Sequence, residues 1–148
     1  MTRFRPAPSG SLLSALRVVG AVLLAAMAGI HLYLWSVGYR DIDWIGPLFL
    51  GNVLAGVGLA LAVMAPPHRG LPVVAALGAL LQAGTLGGLA LSVWVGLFGF
   101  VESTRATLFW PSVVVEAAGA VVLASLAALA YTGSRAGPDR RDRIRSGG

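Results

Sequence analysis

Four long apolar stretches, separated by short polar segments, constrain the fold of this 148-residue chain more than any other feature. The predicted helices cover residues about 12–35, 45–65, 71–98 and 107–131. A transmembrane α-helix needs about 20 predominantly apolar residues, and each stretch provides them. Only 11% of the residues are charged, against about 25% in a soluble domain. The sequence therefore predicts an all-α membrane protein, a bundle of four transmembrane helices.

The segments that flank the apolar stretches are expected to be tails. Residues 1–11, with two arginines and two prolines, predict a flexible cytoplasmic tail, and residues 132–148 predict an Arg-rich disordered one. A cleaved signal peptide is the rival interpretation of the first stretch, because the triplet at 26–28 is similar to a cleavage site. The apolar run continues to Trp35, which favours an uncleaved first helix with Arg17 reaching the lipid headgroups.

The arginines predict the orientation of the chain. All eleven basic residues are Arg, and in a four-helix arrangement only Arg40 and Arg105 lie on the side away from the chain ends. The positive-inside rule then places both ends in the cytoplasm. The absence of Lys and the abundance of Ala, Gly, Val and Leu are typical of GC-rich bacterial genomes, so we expect a multi-pass protein of the bacterial cytoplasmic membrane. The net charge of +5 lies mostly in the C-terminal tail, so anionic headgroups, and not nucleic acid, are the expected partner. The arginines expected to contact these headgroups are Arg140, Arg141, Arg143 and Arg145.

One acid, Glu116, lies well inside the fourth apolar stretch. A carboxylate at the centre of a bilayer costs about 3 kcal/mol on insertion scales, so Glu116 must be protonated, paired or beside a water-filled cavity. His31 on the first helix and Asn52 on the second fall at a similar predicted depth, and Ser92 on the third approaches them from near its helix end. These four residues form a candidate intramembrane polar site.

The two halves of the chain show a weak internal similarity that supports this common depth. Asn52 follows Pro47 by five positions, and Glu116 follows Pro111 by the same spacing. Such a pattern arises from a parallel duplication of a helical hairpin or from chance in an apolar sequence. Under both interpretations Asn52 and Glu116 lie at the same level of the membrane.

Two interpretations of the polar layer stay open. The side chains serve only to join helices through hydrogen bonds, worth about 0.6 kcal/mol each, or they bind a proton or a small solute. The sequence contains no catalytic set, no clustered metal ligands and no cysteine. An intramembrane b-type haem usually takes two histidines, and only His31 lies in an apolar stretch, so neither a metal nor a cofactor is expected.

Small residues recur every fourth position on the third helix. Such a stripe lets helix backbones approach closely, either within the chain or between two copies. We therefore expect a helix-packing face, and a homodimer or a larger membrane complex is one way to cover it. The residues of this stripe are Gly84, Gly88, Ser92 and Gly96.

Four short segments carry a resemblance to a known group of proteins. They are 31–35 (HLYLW), 38–40 (GYR), 45–50 (IGPLFL) and 96–102 (GLFGFVE). With them, most of residues 17–131 resembles an uncharacterised family of small four-helix bacterial membrane proteins. This resemblance implies the fold and no particular activity.

A second resemblance concerns the first helix alone. Segments 17–20 (RVVG) and 29–31 (GIH) are similar to the first helix of DoxX-like proteins, some of which are linked to quinone redox systems. From the whole sequence we expect a membrane protein without enzymatic activity, a structural or accessory subunit. A proton-coupled carrier of a small solute that uses Glu116 is the first alternative, and a quinone-associated redox subunit is the second.

Overall fold

The computed structural model describes residues 10–65 and 69–135, except for the side chain of Arg135. All four described α-helices are long and apolar enough to cross a membrane, which confirms the predicted all-α fold. Near the first connection lies a short 3-10 helix, Tyr39–Asp41. The α-helices are α1 (Gly10–Ser36), α2 (Ile45–Met64), α3 (Leu71–Trp94) and α4 (Phe109–Arg135).

Consecutive helices run antiparallel, so the bundle has two distinct ends. We call the end with the α1–α2 and α3–α4 connections the distal end, and the end with Gly10 and Arg135 the terminal end. The helices form a ring in which α1 contacts α2 and α4, and α3 contacts α2 and α4. The contact between α2 and α3 is the least extensive of the four. Which side of the membrane each end faces stays a prediction from the arginines.

Apolar side chains close the interior from the middle of the bundle toward the terminal end. Small residues let the helices approach there: a Cβ added at Gly20 would lie 2.7 Å from Leu123 Cδ2, and one at Gly56 would lie 2.9 Å from Met27 Cε. Close packing of this kind fills the interior of the described helices toward the terminal end. The buried core comprises Ala21, Leu24, Met27, Val63, Leu71, Ala75, Leu123 and Leu126.

The outer surface of the bundle is apolar on every helix. Large side chains that are at least 60% exposed occur along α1, α2, α3 and α4. A water-soluble protein of this size does not expose so continuous an apolar surface, whereas lipid tails solvate it well. The chain is therefore a multi-pass membrane protein. The most exposed of these helical side chains include Val22, Leu54, Leu61, Leu80, Val114 and Val121.

Helix α3 ends at Trp94, before the predicted end at about residue 98. Gly96 has a φ of 81°, the left-handed conformation that commonly follows a helix C-terminus. Leu97 and Phe100 then exchange two backbone hydrogen bonds, Leu97 N to Phe100 O at 2.7 Å and Phe100 N to Leu97 O at 2.9 Å. The motif at 96–100 is thus a tight turn outside the helix.

Arg17 binds another helix, whereas the sequence predicted that it reaches the lipid headgroups. Its Nε atom donates to the carbonyl of Val63 at 2.9 Å, and Nη2 donates to the carbonyl of Ala65. These carbonyls lie at the C-terminal end of α2, where unpaired acceptors and the helix dipole favour a cation. Arg17 therefore joins α1 to α2 near the terminal end.

We expect Arg17→Leu to lower the free energy of unfolding by about 1.5–3 kcal/mol, the range for hydrogen bonds to a charged group. Reversible unfolding by dodecyl sulfate in mixed micelles measures this quantity. Arg105→Leu is the matched control, because Arg105 is exposed in the distal connection. Equal stability of the two variants would contradict the role of Arg17.

Candidate functional site

A cavity of about 480 Å³ lies in the distal half of the bundle. All four helices and the connection between α3 and α4 contribute to its wall. Volumes of about 300–1,000 Å³ are typical of sites for small molecules. The wall is mainly apolar, with side chains such as Leu34, Ile45, Leu81 and Leu89. Its size and its mainly apolar lining fall within the range of small-molecule sites.

The cavity lies where α2 and α3 separate. Leu48 on α2 and Leu80 and Gly84 on α3 belong to the wall, and all three are exposed. This position follows from the packing described above, since α2 and α3 make the least extensive contact in the ring. The wall is therefore open on the lipid-facing side of the bundle.

The four residues of the candidate polar site all line this cavity. His31, Asn52, Ser92 and Glu116 come from α1, α2, α3 and α4 respectively. Within the described part of the chain, none of the four is hydrogen-bonded to another of them through side chains. The structure thus brings them around one space without joining them, and their binding role stays a prediction.

The predicted packing stripe on α3 also faces the cavity. Gly84, Gly88 and Ser92 line it, and Gly96 lies beyond the helix. A Cβ added at Gly84 would meet nothing within 4 Å, and one at Gly88 would meet only Leu97, at 3.9 Å. Within the chain these glycines therefore provide space. Contact with a second copy stays a prediction.

The four tail arginines predicted to bind lipid headgroups lie outside the described residues.

Glu116 is the most deeply buried acid of the described chain, with 2% of its surface exposed. Its Oε2 atom is buried without a hydrogen-bond partner among the described residues, and Thr85 on α3 is a polar neighbour of the carboxyl group. The spacing of buried residues on α4 explains why Glu116 points inward: Ser112 precedes it by one turn, and Gly119 and Leu123 continue the same face.

His31 is held by its own helix. Its Nδ1 atom lies 2.9 Å from the carbonyl oxygen of Met27, one turn earlier on α1. The imidazole ring also contacts the ring of Phe49 on α2, with centroids 4.8 Å apart. This arrangement fixes the ring orientation and leaves Nε2 as its second nitrogen beside the cavity.

A hydrogen bond joins the two distal connections next to the cavity. The Tyr39 hydroxyl donates to Glu102 Oε2 at 2.7 Å, and the Glu102 backbone N–H donates to the Ser92 carbonyl at 3.1 Å. The Tyr39 ring stacks on Phe49 with centroids 5.0 Å apart and meets the edge of Phe100 at 5.7 Å. The distal wall is therefore built by two connections that are far apart in sequence.

Sequence reasoning did not identify several wall residues that carry polar or aromatic groups. Tyr39 and Glu102 lie in polar segments that a four-helix arrangement places at the same end, so the sequence alone could have predicted that they are near each other. Ser112 also had a signal, because it precedes Glu116 by one helical turn. Thr85 and Phe49 had none, because a lone threonine or phenylalanine in an apolar helix is ordinary.

Burial raises the pKa of Tyr39 above its usual value of 10.0, and the hydrogen bond and charge of Glu102 raise it further. The folded protein therefore holds this proton more tightly than the unfolded chain does. Its contribution to stability is complete below pH 10.0 and is lost as the pH rises beyond it.

We expect Glu102→Gln to lower the pKa of Tyr39. Alkaline titration of tyrosinate absorbance, with Tyr39→Phe to assign the signal, measures this shift, and an unchanged titration would contradict it.

Gln82 lies outside the cavity, between α3 and α4. Its side chain is fully buried, and neither its amide nitrogen nor its oxygen has a partner among the described residues. It lies against the backbone of Gly119, where an added Cβ would overlap the Gln82 amide nitrogen. The two helices thus approach closely at this pair, one turn below Glu116.

The fold and the cavity together define a four-helix membrane protein with a cavity of about 480 Å³ that is open on the lipid-facing side. In the described chain, no group of three or more His, Cys, Asp or Glu residues is placed to hold a metal ion. Comparison of the chain with protein-family models, with curated proteins and with solved structures gave no match. The cavity is therefore the feature of the molecule that bears on its function.

Proposed function

We propose that this membrane protein binds a small, largely apolar solute in the distal cavity and that Glu116 links binding to a proton. The observation that supports this proposal is the buried carboxyl group of Glu116, whose Oε2 atom has no hydrogen-bond partner among the described residues, on the wall of a cavity of about 480 Å³. An unpaired polar group inside a membrane protein carries a free-energy cost. A solute with a complementary polar group offsets that cost. Glu116 is therefore the residue that binds the polar group of the solute.

The hydrogen bonds of the polar layer favour a site over a purely structural role. A layer that only joins helices is expected to pair side chains across helices. Instead, the side chains of His31 and Ser92 each bond to a carbonyl of their own helix. Thr85, which also bonds to its own helix, is the polar contact of Glu116 across helices. The structural or accessory role expected from the sequence therefore has less support than the alternative that uses Glu116.

A quinone is a less suitable occupant than a largely apolar solute that carries a hydrogen-bond donor. Quinone carbonyls only accept hydrogen bonds, and the Thr85 and Ser92 hydroxyl protons are already donated to backbone carbonyls. The Asn52 amide remains as a free donor on the wall. The redox role implied by the DoxX-like resemblance would be supported by quinone absorbance in the purified protein.

Transport would require a further rearrangement of the bundle. The core around Leu24, Met27 and Leu123 closes the way from the cavity to the terminal end. If both chain ends are cytoplasmic, as the arginines predict, the cavity lies in the outer half of the membrane. A carrier would have to separate these core residues, and solute uptake by proteoliposomes under an imposed pH gradient tests for that step.

Filling the cavity tests the binding proposal directly. We expect 4-tert-butylbenzyl alcohol, an uncharged probe, to bind saturably to the protein in nanodiscs above the background of empty nanodiscs. Gly88→Leu should abolish this binding, because Gly88 lies on the cavity wall. Gly87→Leu is the matched control, since Gly87 is an exposed neighbour outside the wall. The absence of saturable binding, or equal binding by both variants, would contradict the proposal.

A further inference from the structure

The chemistry of the cavity wall identifies a class of solute, an inference that rests on the proposed binding function. After their internal hydrogen bonds, His31, Thr85 and Ser92 offer acceptors to the cavity, and the Asn52 amide is both a donor and an acceptor. A backbone carbonyl only accepts, so His31 carries its proton on Nδ1, towards Met27, and Nε2 of the neutral ring is an acceptor. The Thr85 and Ser92 hydroxyls each donate to a carbonyl, which leaves only oxygen lone pairs.

The charged groups of the wall have one sign. Glu102 and Glu116 line the cavity, and no arginine of the described chain does. Glu102 is already engaged, because its two oxygens accept from the Tyr39 hydroxyl and the Ser103 N–H. His31 and Tyr39 are the other titratable side chains of the wall, and α2 and α3 contribute none. Glu116 is therefore the acid that is free to pair with a cation.

Aromatic rings extend from the interior to the distal wall. The ring of Phe49 lies between those of His31 and Tyr39, at 4.8 Å and 5.0 Å, and Tyr39 meets Phe100 at 5.7 Å. The faces of aromatic rings attract cations through their quadrupole. These rings also provide apolar surface for the rest of a solute, so the wall suits a molecule with a cationic head and an apolar body.

We infer that the solute is a small hydrophobic amine, held as an ammonium ion by the Glu116 carboxylate. The ammonium group donates hydrogen bonds to the wall acceptors and supplies the positive charge that the wall lacks. Its apolar body contacts the leucines and phenylalanines of the wall. The open side between α2 and α3 lets such a molecule enter from the lipid phase.

A series of probes that share one apolar body tests this inference on the unmodified protein. The probes are 4-tert-butylbenzylamine, 4-tert-butylbenzyl alcohol and 4-tert-butylbenzoate, which present a cation, a neutral group and an anion. Calorimetric titration of the protein in nanodiscs, corrected with empty nanodiscs, gives each affinity. We expect the amine to bind about thirtyfold or more tightly than the alcohol, the effect of one buried charge pair. The benzoate should bind more weakly than both.

The outcomes separate the inference from the function on which it rests. Equal affinity for the amine and the alcohol, or preference for the benzoate, would overturn the inference that the solute is an amine. The proposed small-solute site would remain. Failure of all three probes to bind would overturn both. Glu116→Gln should remove the preference for the amine over the alcohol, and Asp43→Asn should keep it, because Asp43 is an exposed acid outside the wall. A preference that survives Glu116→Gln would also overturn the assignment.

Discussion

Glu116→Gln should abolish the pH dependence of amine binding and weaken that binding by a factor of about thirty or more. In the unmodified protein a proton and an ammonium ion compete for one carboxylate, so binding weakens as the pH falls. Glutamine has nearly the same shape and keeps the contact with Thr85, but it neither ionises nor carries charge. Titration of 4-tert-butylbenzylamine from mildly acidic to mildly alkaline pH measures both effects.

The matched control for this experiment is Asp43→Asn, the same acid-to-amide change outside the cavity. It should retain the pH dependence of the unmodified protein. Retention of that dependence in Glu116→Gln would show that another group carries it. His31, Tyr39 and Glu102 are the other titratable groups of the wall. In that case Glu116 would not be the proton-linked residue.

Gly119→Leu should prevent stable packing of α3 against α4. A single Cβ at this position would already lie 2.7 Å from Gln82 Cδ and 3.1 Å from Gln82 Cγ, closer than van der Waals contact. Gln82 is fully buried, so its amide group must move within the packed interior to make room. Gly119→Ala should therefore cost about 1–3 kcal/mol through overpacking, and the larger leucine more. Unfolding by dodecyl sulfate in mixed micelles measures each loss.

A double-mutant cycle identifies Gln82 as the cause. Gln82→Ala removes the overlapping atoms, so Gly119→Ala should cost much less in that background, with a coupling of about 0.5–3 kcal/mol. Gly133→Ala is the control on the same helix, because a Cβ there would meet nothing within 4 Å. A cost for Gly119→Ala that is the same with and without Gln82 would contradict the close approach.

The helices and the common depth of three polar side chains could be predicted from the sequence for a simple reason. Membrane thickness fixes helix length, so counting residues from the ends of apolar runs gives the depth of each side chain. That count placed His31, Asn52 and Glu116 at one level, and all three line the same cavity. The depth of a side chain in the membrane can therefore be predicted from the sequence, whereas the rotation of each helix about its axis cannot.

The cavity itself was beyond sequence reasoning because it depends on how far apart the helices lie. The recurring small residues at Gly84 and Gly88 predict close contact with another helix, yet an added Cβ would meet nothing within 4 Å at Gly84 and only Leu97, at 3.9 Å, at Gly88. Gly20 and Gly56, which look no different in sequence, make the close contacts instead. Small residues permit approach without requiring it, and only the packing of the whole ring decides which pair of helices separates.

The Tyr39–Glu102 hydrogen bond shows a second limit. Its two residues lie in different connections, and the local sequence pattern carries no information on which loop side chains meet.

Arg17 shows a third limit of prediction from the sequence. An arginine near the end of an apolar run suits the headgroups and the carbonyls of a helix C-terminus equally well. The structure selects the carbonyls of Val63 and Ala65.

Accessibility of Ser112→Cys to a thiol reagent tests the central claim most directly, in a chain without native cysteine. Ser112 lies on the cavity wall one turn before Glu116, and Ala75 in the apolar core is the site for a control cysteine. We predict that N-ethylmaleimide, an uncharged reagent that can enter from the lipid phase, modifies Ser112→Cys but not Ala75→Cys, and that 4-tert-butylbenzylamine slows the reaction. An unreactive Ser112→Cys, or a reaction that the amine leaves unchanged, would contradict a solute site beside Glu116.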